Sequence, residues 1–165
     1  MQPVPEGMKR FMVKSKFGVG HDLEILDENE QRVCLVDGKW GIRPAADVQD
    51  ASGTVVYKLR GNFLGILKKL TLFDADDNEI GTIKAKISPL KNVMEFEAVD
   101  GRHWHLEGNL IEKEYTVTSE GRTIIHVNQK WVAIRDTYAM DVDESVSPVL
   151  ASAFIWGVYA FREQK

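Results

Sequence analysis

A chain of 165 residues has single-domain length, and its 21 Lys and Arg against 25 Asp and Glu leave a formal net charge of −4. That length buries most of the unfolded surface without disulfides or metals, so residues 1–165 are expected to form one domain. The acidic balance argues against nucleic acid as a partner held by bulk charge. The lone Cys34 has no intrachain disulfide partner, and the first ten residues hold Pro3, Pro5 and Glu6 with no apolar run, so a cytoplasmic location is expected.

From residue 23 onward, short runs of alternating apolar and polar residues recur at a spacing of about 8–12 residues, the pattern of an all-β sandwich or barrel. Leu23 and Ile25 come first, then Val33 and Leu35, then Val55, Tyr57 and Leu59 against Lys58 and Arg60. Leu70 and Leu72 follow, then Ile83, Ala85 and Ile87, then Met94, Phe96 and Ala98. Trp104 with Leu106, Tyr115 with Val117, Ile125 with Val127, and Tyr138 with Met140 and Val142 complete the series. Glu28-Asn29, Asp37-Gly38, Ser52-Gly53, Asp77-Asn78, Asp100-Gly101 and Glu120-Gly121 are read as turns, since such residues tolerate positive φ or make local side-chain bonds. Lys86 is expected opposite Glu95 and Lys84 opposite Glu97. That pairing also sets Ile87 against Met94 and Ala85 against Phe96, each pair contributing about 0.2–1 kcal/mol.

After Val142 the period of two ends. Ser145 to Phe161 carries no charge and reads as a helix, with Ser147 as N-cap and Pro148 in the first turn. Its length is at the short end of a membrane span, about 17–25 residues. A helix apolar on every side also suits the middle of a closed sheet, and burial inside the protein's own strands is expected.

The order of about twelve short strands followed by an apolar terminal helix, with Lys130-Trp-Val-Ala-Ile-Arg-Asp-Thr-Tyr-Ala-Met-Asp-Val142 leading into it and Val36-Asp37-Gly38-Lys39 near the start, resembles the LURP-one-related proteins. Those belong to the tubby C-terminal-like superfamily together with phospholipid scramblases. The resemblance implies a mainly β fold, a closed barrel of about twelve strands around a buried hydrophobic C-terminal helix.

Lys58-Leu-Arg-Gly-Asn-Phe-Leu-Gly65, followed by Lys69-Leu-Thr-Leu-Phe-Asp74, is similar to a segment of tubby proteins in which a Lys and an Arg two apart on one strand hold a phosphoinositide headgroup. That likeness implies an anionic phospholipid partner at Lys58 and Arg60, with Lys68 and Lys69 extending the patch and a location peripheral to the membrane. Side chains two apart share a face, and an Arg fork beside a Lys point charge suits one phosphate cluster. Tubby proteins add an upstream Asn, and Arg43 to Asp47 contains none.

Other constellations carry less. Asp74, Asp76 and Asn78 have calcium-loop spacing, but Glu79 and Ala85 stand where an EF-hand needs Gly and Glu, so a polar hairpin turn is expected. His103 and His105 share a face with Glu107 but show no third metal partner, and they read as solvated side chains. Gly18-Val19-Gly20 lacks the third glycine of a dinucleotide loop, and Cys34 reads as inert packing. No catalytic residue, metal or cofactor is assigned. A binding or scaffold module is therefore expected ahead of a small-ligand carrier or enzyme using a barrel cavity, or a regulatory protein-interaction domain. Phe154, Ile155, Trp156 and Tyr159 would fill the space that a pocket of roughly 300–1,000 Å³ requires.

Overall fold

The computed structural model describes residues 3–16, 22–39, 41–62, 67–87, 92–108, 114–128 and 137–163. Residues 18–20, 63–65, 130–136 and 165, which the sequence reading touched, lie outside them. The strands are β1 (Met8–Lys16), β2 (Asp22–Leu26), β3 (Arg32–Lys39), β4 (Ala45–Asp50), β5 (Val55–Asn62) and β6 (Leu67–Asp74). They continue with β7 (Glu79–Ile87), β8 (Asn92–Ala98), β9 (His103–Gly108), β10 (Glu114–Ser119), β11 (Arg122–Asn128) and β12 (Thr137–Asp143), and α1 (Pro148–Glu163) ends the chain. Each strand pairs antiparallel with its neighbours in sequence, and β1 closes the ring on β12 from Met8↔Asp143 to Lys14↔Thr137. Closure removes both sheet edges. The seam is pinned by Arg10, whose Nε and Nη2 donate to the two oxygens of the fully buried Asp141 at 2.8 and 3.0 Å.

The terminal helix occupies the lumen. Every residue from Leu150 to Val158 is buried, and at about 3.6 residues per turn such a run covers all faces of a helix. The contacts come from opposite walls. Trp104 on β9 meets the Phe154 ring edge-on at 5.7 Å, while α1 also packs against β3, six places away round the ring of twelve. Gly157 brings the helix close to the wall: a Cβ there would lie 3.3 Å from Leu70 and 3.6 Å from Ile83. Ser147 caps the helix as expected, its Oγ accepting from Leu150 N at 3.3 Å.

Repeated turn chemistry sets the hairpins. Asp27, Asp50 and Asp74 each accept, through one carboxylate oxygen, the amide hydrogens two and four residues on, and Asp100 accepts that of Arg102. Bonds to the charged form hold Asp50, Asp74 and Asp100 below the usual carboxylate range, chiefly those from Ser52, Asn78 and Arg102 respectively. The Asp74, Asp76, Asn78 spacing belongs to this hairpin turn.

Four sequence expectations change. Asp37-Gly38 lies inside β3 and is not a turn. The same strand turns Cys34 and Val36 into the core, and Val33 and Leu35 to the other face. All four residues are apolar, so period alone could not choose; pairing of Ile25 with Cys34 and Leu23 with Val36 chose. β1 and β4 were absent from the alternating series, β4 because Ala46 and Val48 are its only buried apolar residues. In the β7–β8 hairpin Lys84 faces Glu95, Thr82 faces Glu97, Ala85 faces Met94 and Ile83 faces Phe96. The expected register is displaced by one pair. A two-residue slip leaves every side chain on its proper face, so the pattern of charges cannot see it.

Two outcomes follow from the filled lumen. Ending the chain after Ser147 is expected to abolish cooperative unfolding, and Trp156→Ala, at a ring 2% exposed, is expected to cost about 3–5 kcal/mol in urea denaturation. Burial pushes the Cys34 thiol up to about 12. A chromogenic disulfide reagent at pH 8 should therefore find no reactive thiol in the native protein and one after unfolding in guanidinium, because only the thiolate attacks.

Candidate functional site

With the lumen occupied by α1, a polar groove lies on the outer wall of β5 and β6. Antiparallel pairing places Arg60 beside Thr71 and Asn62 beside Lys69 across β5 and β6. The segment before β4 folds over the same end, its Pro44 carbonyl accepting from Gly61 N at 2.9 Å. These parts enclose a groove of about 500 Å³ lined by Arg43, Pro44, Arg60, Asn62, Lys69 and Thr71, among others. Gly61 permits the close approach, because a Cβ there would lie 2.5 Å from Leu70 and 2.8 Å from Pro44.

Arg60 is held rigidly. Its Nη1 donates to the carbonyls of Ala46 at 3.0 Å and Leu59 at 2.8 Å, and its Nη2 to Asp47 at 2.9 Å. Asp47 also lies 3.6 Å from Lys39, whose pKa is raised chiefly by its hydrogen bond to Asp37. Among the described residues neither Arg43 nor Lys69 has a carboxylate partner. The groove therefore holds two cations without acidic partners beside a third that a carboxylate has oriented, and it offers Asn62 and Thr71 as neutral hydrogen-bonding groups. Ile42, adjacent to Arg43, is fully exposed.

The residues singled out from sequence separate into three. Arg60 and Lys69 meet at the groove. Lys58 shares their face, but its Nζ bonds Asp77 in the β6–β7 turn at 2.8 Å, and it does not line the groove. Lys68 pairs with Ala85 and alternates with Lys69, so it belongs to the other face of β6 and does not extend the outer patch. Arg43 lies in the loop before β4, where no periodicity reports the direction of a side chain. That segment brings a cation to the groove, and Asn62 enters from β5.

A second polar set stands on β8 and β9, where Glu95 faces His105 and Glu97 faces His103. His105 Nδ1 lies 3.1 Å from Glu95 and its Nε2 3.1 Å from Glu107. The bond to Glu107, ahead of that to Glu95, raises the His105 pKa despite partial burial. The histidines thus do have further partners, which only strand pairing brings to them.

Twelve antiparallel strands in chain order around a lumen-filling helix define a helix-plugged barrel. Residues 9–156 match the LURP-one-related family, and the chain belongs to it. It is similar to YxjI of Bacillus subtilis (strain 168) at 19% identity over 157 residues, covering 93% of this chain and 94% of that protein. The fold also matches the X-ray structure of an Arabidopsis thaliana protein with a TM-score of 0.67 at 16% identity, over 94% of this chain and 93% of that one.

Gly61→Val is expected to cost about 1–3 kcal/mol by overpacking and to lift the Pro44 segment away from β5. Urea denaturation measures the first effect. The second should appear as faster amide hydrogen exchange at Gly61→Val position 61 itself, whose bond to Pro44 would be lost.

Proposed function

We propose that this protein is a non-enzymatic binding module that docks on anionic phospholipid headgroups at a membrane surface through the groove between the segment before β4 and strands β5 and β6. The observation that carries this reading is the convergence of Arg43, Arg60 and Lys69 with Asn62 and Thr71 around one groove, in a chain of net charge −4. A clustered positive site on an acidic protein selects ligands by local geometry, and an Arg fork oriented by Asp47 is pre-set for phosphate oxygens.

Family membership and the filled barrel support a binding or scaffold role, since Phe154, Ile155 and Trp156 occupy the interior that a carrier or enzyme would use. The fully exposed Ile42 beside Arg43 supports a surface rather than a free ion as the partner, because an apolar side chain next to cations can enter the headgroup boundary while the cations hold phosphate. Among the described residues no helix is long and apolar enough to cross a membrane, and peripheral contact is what the groove requires.

Vesicle flotation tests this. Wild type should float with phosphatidylcholine vesicles containing a polyphosphorylated inositol lipid, should stay down with phosphatidylcholine alone, and should detach as salt rises. Arg43→Ala with Lys69→Ala removes two cations worth about 1 kcal/mol each near an anionic surface, a loss of roughly 30-fold in affinity. Stability should move within about ±0.5 kcal/mol, since both are surface positions. Arg102→Ala with Arg122→Ala, in a separate groove near the helix start, is the control and should float like wild type. No flotation of wild type at low salt, or equal losses in the two double variants, would overturn the assignment.

A further inference from the structure

The strongest feature outside that groove is the side-chain set on the outer wall of β8 and β9. Register brings two carboxylates and two imidazoles into a square, Glu95 opposite His105 and Glu97 opposite His103. Single donor atoms of Glu95, Glu97 and His103 all lie within 4.8 Å of one another. Glu95 bridges both rings, Oε1 at 3.1 Å from His105 Nδ1 and Oε2 at 3.6 Å from His103 Nε2.

We propose that Glu95, Glu97 and His103 bind a divalent transition-metal ion of the zinc class, with His105 and Glu107 holding Glu95 in place. Donors of a tetrahedral zinc site lie about 2.0–2.2 Å from the ion, hence about 3.4 Å from each other. The set needs to close by up to about 1.4 Å, and the 50% exposure of His103 and 53% exposure of Glu97 leave their side chains room to rotate. The backbone positions need not move, because two hydrogen-bonded strands fix them. One imidazole with two carboxylates is a nitrogen and oxygen set, which suits zinc, cobalt or nickel. Calcium and magnesium prefer oxygen alone, and copper(I) prefers sulfur.

The neighbours fit. His105 connects Glu95 to Glu107 through its two ring nitrogens, so the carboxylate that touches both rings is itself oriented by a hydrogen-bonded chain, as the outer partners of metal ligands commonly are. Opposing this, Lys84 places Nζ 3.9 Å from Glu97 and competes for that carboxylate. A metal ion would displace the ammonium, which gives the site a residue whose removal should strengthen it.

Titration of the full-length, chelator-treated protein with zinc chloride in a calorimeter tests this at neutral pH. One zinc per chain with micromolar affinity is expected. His103→Asn and Glu95→Gln should each weaken binding by about tenfold or more, and His105→Asn by about tenfold. Lys84→Met should tighten it. His126→Asn, at a separate imidazole 3.5 Å from Glu114, should change nothing. Circular dichroism of the metal-free variants checks their folding, and the Lys84→Met gain does not depend on removing a ligand. Less than one zinc bound, wild-type affinity in both ligand variants, or calcium bound as tightly as zinc would overturn the site.

Discussion

Filling the barrel with the chain's own last helix is the constraint on which the rest depends. A ring of twelve strands encloses more space than inward side chains alone close-pack, and voids in a core forfeit dispersion contacts. An α-helix is about 10–12 Å across with its side chains, and α1 is buried on every side from Leu150 to Val158, with Phe161 buried beyond it. Gly157 lets the helix approach the wall where Leu70 and Ile83 are bulky. With the lumen so occupied, the polar clusters on β5 and β6 and on β8 and β9 are on the outside.

The wall is assembled locally. Consecutive strands pair throughout, and at four of the described turns Asp27, Asp50, Asp74 and Asp100 satisfy amide groups that would otherwise face water or nothing. β1 with β12 is the exception, joining the first and last strands through seven residue pairs and the bond of Arg10 to the buried Asp141. That seam turns a run of hairpins into a ring and fixes the space the helix must fill.

On the outside, the same alternation sorts charge by strand. β5 and β6 present Arg60 and Lys69, and β8 and β9 present Glu95, Glu97, His103 and His105. Acidic partners neutralise many of the cations: Lys58 has Asp77, Arg32 has Glu24, and Arg102 has Asp100. Asp47 orients Arg60 without closing the groove, which gathers Arg43, Arg60 and Lys69, while Lys58 is turned to Asp77.

The sequence by itself determined the class of fold, because a period of two and a charge-free terminal segment are properties of neighbouring residues. It also determined the Ser147 cap and the faces of most strands, and it put Arg60 and Lys69 in the candidate site. It could not decide the face of Val33-Cys34-Leu35-Val36, where both parities are apolar, nor the β7–β8 register, where a two-residue slip conserves every face. Those were decided by pairing with β2 and by the paired stretches that flank the hairpin loop. Tertiary structure alone brought Arg43 over β5 and set Glu95 and Glu97 against the histidines. Such contacts join residues remote in sequence, and their energies depend on distances that no local pattern encodes.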